Sequence, residues 1–600
     1  MIRVADFIAN FISDVLNVKD VFMVSGGGIM YLTDGIYQNK KINAICTHNE
    51  QSASMALEAY SRATENFGVG FFTSGPGATN AITGLVGAWQ DSVPCLFISG
   101  QAKRKETIYN SNIKGLRQFG VQEVNIIPII ESLTKYSAML NRPEDVKYEL
   151  EKMFYIAKSG RPGPVWLDVP LDVQGALVEP STLRTFSSNE REVIKTKPTE
   201  AEIKKIEMLL KKAKRPIIIA GQGIRIAKAL EDFKEFIEKF NIPVATTYLG
   251  IDTLSSKHAL NMGPIGLKGG RAGNLAVQNS DLVIVLGSSL HIGTIGYEYN
   301  LFAREAKKVI VDIDRTAHLK KTIKIDLYLN SDAKEFLKSV KNIKEIKFDK
   351  NWVPTCTKWA RKYPVCLDEY SKVNKKINIY YLVNKLSKLL SENDTIVSDA
   401  GSVYYAVSQA IKIKGSKQRY ITSGALATMG FTLPASIGVA AATKKRVIGI
   451  TGDGSFQFNI QELQTLVHYK LPVKLFVINN GGYLSIRVTQ ERFFEKRYLG
   501  EGPDSGVSCP DSRKIANAYG IKFIRVSKND ELDEIIKSVL EYDGPVICEI
   551  MSPRDQLIIP TVSSIKKEDG TMMSKPLEDM YPFLDREEFL ANMIVKSVKE

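Results

Sequence analysis

The chain has 600 residues, 44% of them apolar, and a formal net charge of +14; that length allows roughly three or four domains with ordinary cores. No run of about 18 apolar residues occurs, and the first twenty residues carry Asp6, Asp14 and Asp20, which excludes a signal-peptide layout and points to a cytoplasmic protein without membrane insertion. The lysines are scattered rather than gathered on a basic helix, so nucleic acid is not an expected partner, and the cysteines at 46, 95, 356, 366, 509 and 548 form no CxxC that would signal zinc or a disulfide framework.

A first unit is expected over residues 1–178, ending in "GRPGPVWLDVPLDVQGA". It contains the glycine-rich "SGGG" at 25–28 and the long stretch "ICTHNEQSASMALEAYSRATENFGVGFFTSGPGATNAITGLVGAWQDSVPCLFISGQ". Residues 179–198 are polar and turn-rich, a linker. A central unit over 199–345 opens with the strand "RPIIIAGQGI" and includes "DLVIVLGSS" and "KKVIVDID". Its "AGQGIR" supplies only GxG after a strand, more often a plain turn than a dinucleotide signal. After a linker at 346–375, a third unit is expected over 376–558, followed by a tail at 559–600 whose scattered turns suit a cover over an active site.

The third unit carries the clearest chemistry, in "GDGSFQFNIQELQTLVHYKLPVKLFVINNGGY", residues 452–483. The runs "RVIGIT" and "KLFVI" read as short buried parallel strands, and "IQELQTLVHYK" between them has helical spacing. Both loops then emerge at the carboxyl edge of one sheet, so that Asp453 and Asn480 face one crevice. A carboxylate, an amide and backbone carbonyls are ligands suited to magnesium, which borrows further ligands from phosphates. Gly452, Gly454, Gly481 and Gly482 allow close backbone approach, and the helix after Gly454 offers its amino end to an anion.

GDG, 24 residues and then Asn-Asn resembles the signature of thiamine diphosphate enzymes. The resemblance covers residues 1 to about 560 and implies an α/β fold of three doubly wound parallel-sheet domains: pyrimidine-binding, central and diphosphate-binding. It implies that Asp453, Asn480 and the Gly482 carbonyl hold Mg2+, with Gly452, Gly454 and Ser455 at the cofactor diphosphate. The first unit resembles the pyrimidine-binding domain of the acetolactate synthase group. Glu50 matches the glutamate that bonds the aminopyrimidine and promotes loss of the thiazolium proton, and Pro76 and Asn80 fall in the same cofactor-binding stretch. In "SGALATMGFTLPASIGVAAAT", Met429 matches the apolar wedge under the cofactor, and Ala427, usually glycine, the carbonyl that receives its amino group. Gln122 matches a glutamine beside the reaction centre, with Val121 where phenylalanine is usual. Gly26 and Gly27 lie in a turn facing the thiazolium, with amides for a developing negative charge.

What the resemblance leaves open is the second substrate. No adjacent histidine pair occurs, and none of the five histidines falls in the glycine-rich active-site turns, so carboligation is expected over simple protonation. The acetolactate synthases carry two arginines in a "GxRFDDR" segment; Ser289 and Gly293 stand there, so FAD in the central unit is left open and a carboxylate clamp is missing. Thr489 stands where a tryptophan is usual, and Arg487 or Arg492 is the candidate substitute for the clamp. The pocket of Ser289, Thr489 and Val121 is then roomier, and "VSGGGIMYLTDGI", "GPVWLDVPLDVQGA" and "SKPLEDMYPFLDREEFLANMI" resemble thiamine enzymes of surface-polysaccharide synthesis. The favoured expectation is transfer of an acetyl unit from pyruvate to a nucleotide-activated keto-deoxysugar. Acetolactate synthase proper is the alternative, and a non-catalytic thiamine diphosphate-binding protein is the third, opposed by intact Glu50, Asp453 and Asn480. The resemblance further implies a homodimer or tetramer with active sites between subunits.

Overall fold

The computed structural model describes all residues except 193, 195, 374, 567–571 and 599–600. Three six-stranded sheets follow one another along the chain. The first is built from β1 (Asp20–Met23), β2 (Asn43–Cys46), β3 (Gly68–Phe72), β4 (Cys95–Gln101), β5 (Tyr136–Met139) and β6 (Val165–Pro170). The second has β7 (Pro216–Ala220), β8 (Val244–Thr246), β9 (Asn261–Pro264), β10 (Leu282–Leu286), β11 (Lys307–Asp312) and β12 (Leu327–Asn330). The third has β13 (Thr395–Ser398), β14 (Arg419–Thr422), β15 (Val447–Gly452), β16 (Val473–Asn479), β17 (Lys522–Val526) and β18 (Val546–Met551).

Pairing within all three sheets is parallel. Parallel strands covered by helices on both faces must be apolar throughout, which is why "PIIIA" and "LVIVL" are buried along their whole length. The expected α/β architecture of three doubly wound sheets is the one observed.

Strand order positions the ligand crevices. The first sheet runs β2-β1-β3-β4-β6-β5, and the third repeats that pattern as β14-β13-β15-β16-β18-β17. The second runs β9-β8-β7-β10-β11-β12. In each, the winding direction reverses between two adjacent inner strands, opening a crevice at the carboxyl ends of those strands. Those are β1 and β3, β7 and β10, and β13 and β15.

The first and third units share one hydrophobic core. Its seam is the contact of α1 (Glu50–Thr64) with α3 (Thr432–Thr443). A Cβ on Gly438 would stand 2.0 Å from the Ala56 carbonyl oxygen, so only glycine permits this approach. Ser52 Oγ donates to Asn459 Oδ1 at 3.0 Å beside the seam. The tail packs on the central unit: Asn274 Nδ2 donates to the Leu577 carbonyl at 2.9 Å and Arg304 pairs with buried Glu578 at 2.7 Å. Among the described residues no helix is long and apolar enough to cross a membrane.

Candidate active site

Asp453 follows β15 directly, at the switch point of the third sheet, and is buried. Its Oδ1 accepts from the Gly454 amide at 2.9 Å, and its Oδ2 from the amides of Gly481 and Gly482 at 2.9 and 3.0 Å. These bonds draw the loop after β16 onto the loop after β15, although a helix and a whole strand lie between Asp453 and Asn480 in the chain. Burial pushes the Asp453 carboxyl up to about 6 despite those three amides.

Asn480 is buried, and among the described residues its Oδ1 has no hydrogen-bond partner. A buried carbonyl-type oxygen without a donor is costly unless a ligand supplies one. Gly482 has φ +121°, and a Cβ there would meet the Glu501 carbonyl oxygen at 2.2 Å. A carboxylate with no ion-pair partner among the described residues, an orphaned amide oxygen and a backbone carbonyl held by a left-handed glycine are a hard oxygen donor set, and they fit magnesium. Asp453 and Asn480 are thus brought to one crevice, as the spacing implies.

Two acids not singled out from the sequence hold this crevice in shape. Asp399, directly after β13 on the other side of the switch, is buried and accepts from Thr451 Oγ1 at 2.9 Å, the Ala400 amide at 2.7 Å and the Ser455 hydroxyl. Ser455 Oγ in turn accepts from the Gly430 amide at 2.8 Å, tying the Ala427–Met429 loop to the GDG turn. Asp91, from the first unit, accepts from the amides of Gly424 and Ala425 at 2.8 and 2.9 Å and pairs with buried Arg62 at 2.6 Å. The loop is therefore clamped from two domains. Ala427 within it has φ +52°, a conformation that costs a non-glycine residue about 1–2 kcal/mol. That explains glycine as the usual residue there. Met429 is half-buried rather than part of a core.

Arg487 does not act as a substitute carboxylate clamp. It is buried on α4 (Leu484–Phe493), with its Nε bonded to the Glu501 carboxylate. Its other nitrogens donate to the carbonyls of Gly481 at 2.8 Å, Arg554 at 2.7 Å and Asn480 at 3.4 Å. Every direction of the guanidinium fork is committed to the loop that carries Asn480 and Gly482. Spacing could not reveal this, because Glu501 and Arg554 lie far along the chain.

In the first unit, Glu50 opens α1 behind the Asn49 cap and is half-buried. Asn80 Nδ2 donates to its Oε2 at 3.0 Å, and a Cβ on Gly77 would stand 3.3 Å from its Oε1. Pro76 starts the short helix that holds Asn80. Gly26 leaves no room for a side chain, since its Cβ would be 2.5 Å from Thr73, while Gly27 is open. Both lie at the β1/β3 switch. Gln122 is exposed at φ +55°, with its carbonyl against Gly75.

The three acceptor-pocket residues sit in three different units. Val121 is 86% exposed, Thr489 is exposed on α4 with its hydroxyl bonded to the Ser485 carbonyl at 2.9 Å, and Ser289 lines a cleft between the central unit and the other two, where Asp91, Arg161 and Gly424 also face it. That cleft has about 990 Å³ of free space including its mouth and opens at the β7/β10 switch, bounded by Gln222, Gly223, Ser288, Asp312 and Asp332. A Cβ on Gly221 would lie 2.1 Å from the Gly287 carbonyl oxygen, so "AGQGIR" packs backbone against backbone on the β10 turn.

Comparison with known proteins agrees with this geometry domain by domain. Residues 2–129 match the thiamine pyrophosphate enzyme N-terminal TPP binding domain, 203–340 the central domain and 399–550 the C-terminal TPP binding domain. The chain belongs to the thiamine pyrophosphate enzyme family. It is 32% identical to the acetolactate synthase large subunit of Lactococcus lactis subsp. lactis (strain IL1403) over 555 residues, covering 91% of this chain and 92% of that one. Against the acetolactate synthase large subunit of Cyanidium caldarium the figure is 33% over 563 residues, 91% and 92% of the two chains. Acetolactate synthase 1, chloroplastic, of Nicotiana tabacum is 31% identical over 563 residues, 91% of this chain and 81% of the relative. These relatives favour the reading that the sequence departures ranked second, and the surface-polysaccharide subtype finds no support among them.

Proposed function

We propose that this chain binds thiamine diphosphate through magnesium, decarboxylates pyruvate and joins the remaining two-carbon unit to a second carbonyl compound, as an acetolactate synthase does. The observation that carries the reading is the orphaned Asn480 Oδ1 beside the buried Asp453 carboxylate and the Gly482 turn. When bound, the cofactor supplies a carbon nucleophile and an electron sink for loss of carbon dioxide. Asp453, Asn480 and the Gly482 carbonyl hold the magnesium. The amides around Gly454 and Ser455 meet the diphosphate, and Met429 with the Ala427 carbonyl sets the cofactor's shape. Glu50, oriented by Asn80, bonds the pyrimidine nitrogen and moves its proton. Gly26, Gly27 and Gln122 face the substrate oxygen.

The exposed Phe119, Val121 and Leu499, at 54%, 86% and 78%, suit a face covered by a second copy, with the site closed between two subunits of a dimer or tetramer. The central cleft suits a dinucleotide, FAD, which a flavin spectrum of the purified protein tests.

A second reading keeps the nucleotide-activated keto-deoxysugar as acceptor. It draws on Thr489 and Val121 standing open to solvent, where a bulky acceptor would need room. Product mass analysis distinguishes the two: protein, thiamine diphosphate, magnesium and pyruvate, alone, with 2-oxobutyrate, and with 4-keto-6-deoxysugar nucleotides. Acetolactate from pyruvate alone is expected. Product only in the sugar tubes would favour the second reading, and no release of carbon dioxide in any tube would overturn both.

A further inference from the structure

A second cleft opens where the three units meet, with about 940 Å³ of free space including its mouth. Arg62 and Glu65 reach it from the end of α1, and Lys158 from the last turn of α2 (Val146–Lys158). The central unit supplies Arg225 and Lys228, and the third unit supplies Arg419, the first residue of β14. Five cations therefore line it, against the carboxylates of Glu65 and Asp332. Both carboxylates are already engaged. Glu65 stands 3.6 Å from Arg225 and 3.5 Å from Arg419, and Asp332 caps a helix by accepting from the amides of Lys334 and Glu335 at 2.8 and 3.3 Å.

Once the pairs are assigned, two ammonium groups remain. Arg62 is spent on Glu58 and Asp91, while Arg225 and Arg419 share buried Asp252. Lys158 donates to Asn66 Oδ1 at 3.1 Å and lies 4.9 and 4.8 Å over the rings of Phe67 and Phe154. Neither its ammonium nor that of Lys228 has an acidic partner among the described residues. Partial burial and the neighbouring Lys228 hold the Lys158 ammonium below the usual lysine range. The Nε of buried Arg62 also lacks an acceptor among the described residues. Like charges gathered without a counter-ion raise the free energy of the empty cleft, and an anion between them lowers it. Val93, Pro94, Pro162 and Ile226 line the same cleft and add apolar surface.

We propose that this junction binds a polyphosphate, either inorganic or carried by a nucleotide, gripped by Lys158 of the first unit and Lys228 of the central unit. A single carboxylate would answer one of these charges. A chain of phosphates carries several charges and many acceptor oxygens, so it meets cations that stand on different units, and a lysine binds it as a point charge without a fixed angle. A nucleotide would further lay its base on the apolar part of the wall. The site is separate from the proposed carboligase chemistry. It shares Gln222 and Asp332 with the Ser289 cleft, but neither lysine lines that cleft.

The test is a calorimetric titration of the full chain with sodium triphosphate and, separately, with ATP. Thiamine diphosphate, magnesium and FAD are present in excess, so that neither the metal crevice nor the central cleft competes for the anion. Saturable binding is expected, weakened about tenfold in Lys158→Gln and in Lys228→Gln, the loss of one charge-assisted hydrogen bond, and kept in Lys158→Arg. Both lysines are exposed, so the variants should melt with the parent. Added salt should weaken binding to the parent more than to the double Gln variant. ATP binding more tightly than triphosphate assigns the site to a nucleotide, and triphosphate binding as tightly or more tightly assigns it to the inorganic anion. No binding of either at millimolar concentration, or affinities within twofold of the parent in both Gln variants, overturns the proposal. Carbon dioxide release from pyruvate, measured without either anion, tests the carboligase reading separately.

Discussion

Replacing Arg487 by methionine tests how the metal loop is held. The substitution leaves the Glu501 carboxylate, whose side chain is 1% exposed, with Arg554 as its remaining cation at 3.0 Å. The Gly481 and Arg554 carbonyls also lose donors at 2.8 and 2.7 Å. Removing one partner of a buried ion pair costs about 3–5 kcal/mol, and the surviving Arg554 contact puts this case near about 3. For a domain of this size about 1 kcal/mol moves Tm by about 2–4 °C, so a fall of about 6–12 °C is expected. A second scan with magnesium and thiamine diphosphate reads the loop itself: the parent should gain stability by mass action, and Arg487→Met should lose most of that gain. The double variant Arg487→Met with Glu501→Leu removes the stranded charge and should recover part of the Tm, though not the ligand-induced rise. A single variant melting within about 1 °C of the parent, with its ligand-induced rise intact, would refute the reasoning.

Gly482→Ala should abolish magnesium-dependent cofactor binding in a calorimetric titration, because φ is +121° and the added carbon would stand 2.2 Å from the Glu501 carbonyl oxygen; near-parental affinity would contradict the close approach. Glu50→Gln should keep cofactor binding within a few-fold yet lose turnover by two or more orders of magnitude, about the range that positioned proton transfer contributes; wild-type turnover would remove Glu50 from the mechanism. Asp168 is buried between Ser99 Oγ at 2.6 Å and Gln101 Nε2 at 2.9 Å, and burial pushes its carboxyl up to about 7. Its folded-state value lies above the unfolded one, so between about 4 and 7 the folded protein binds more protons, and this group's contribution to stability falls as pH rises through that window. Asp168→Asn should flatten that part of a Tm-against-pH curve, and an unchanged slope would assign the effect to another group.

The clamp on the Ala427–Met429 loop links fold to chemistry. Asp91 bonds its first amides from one domain, and Ser455, held by Asp399, bonds its last from another. A non-glycine residue at φ +52° persists there because both ends are fixed. The loop is held in shape by the domains around it rather than by its own backbone preferences.

Local physics made much of this protein legible from the chain alone. Strands buried on both faces announce themselves as short β-branched runs, as in "PIIIA" and "KLFVI", and glycine marks the turns where backbone must approach backbone. The pairing of Asp453 with Asn480 was readable because both close consecutive strands of one parallel sheet, which sends them to the same edge whatever lies around them. The roles of Arg487, Asp399 and Asp91 were not, since each depends on a partner brought near only by packing. Arg487 was open to reading as a substrate clamp until Glu501 and Arg554 were seen to consume its donors. An isolated charge in a sequence says nothing of what will face it; strand order, domain packing and burial choose the partner, and with it the difference between a structural ion pair and a cation free to meet a substrate.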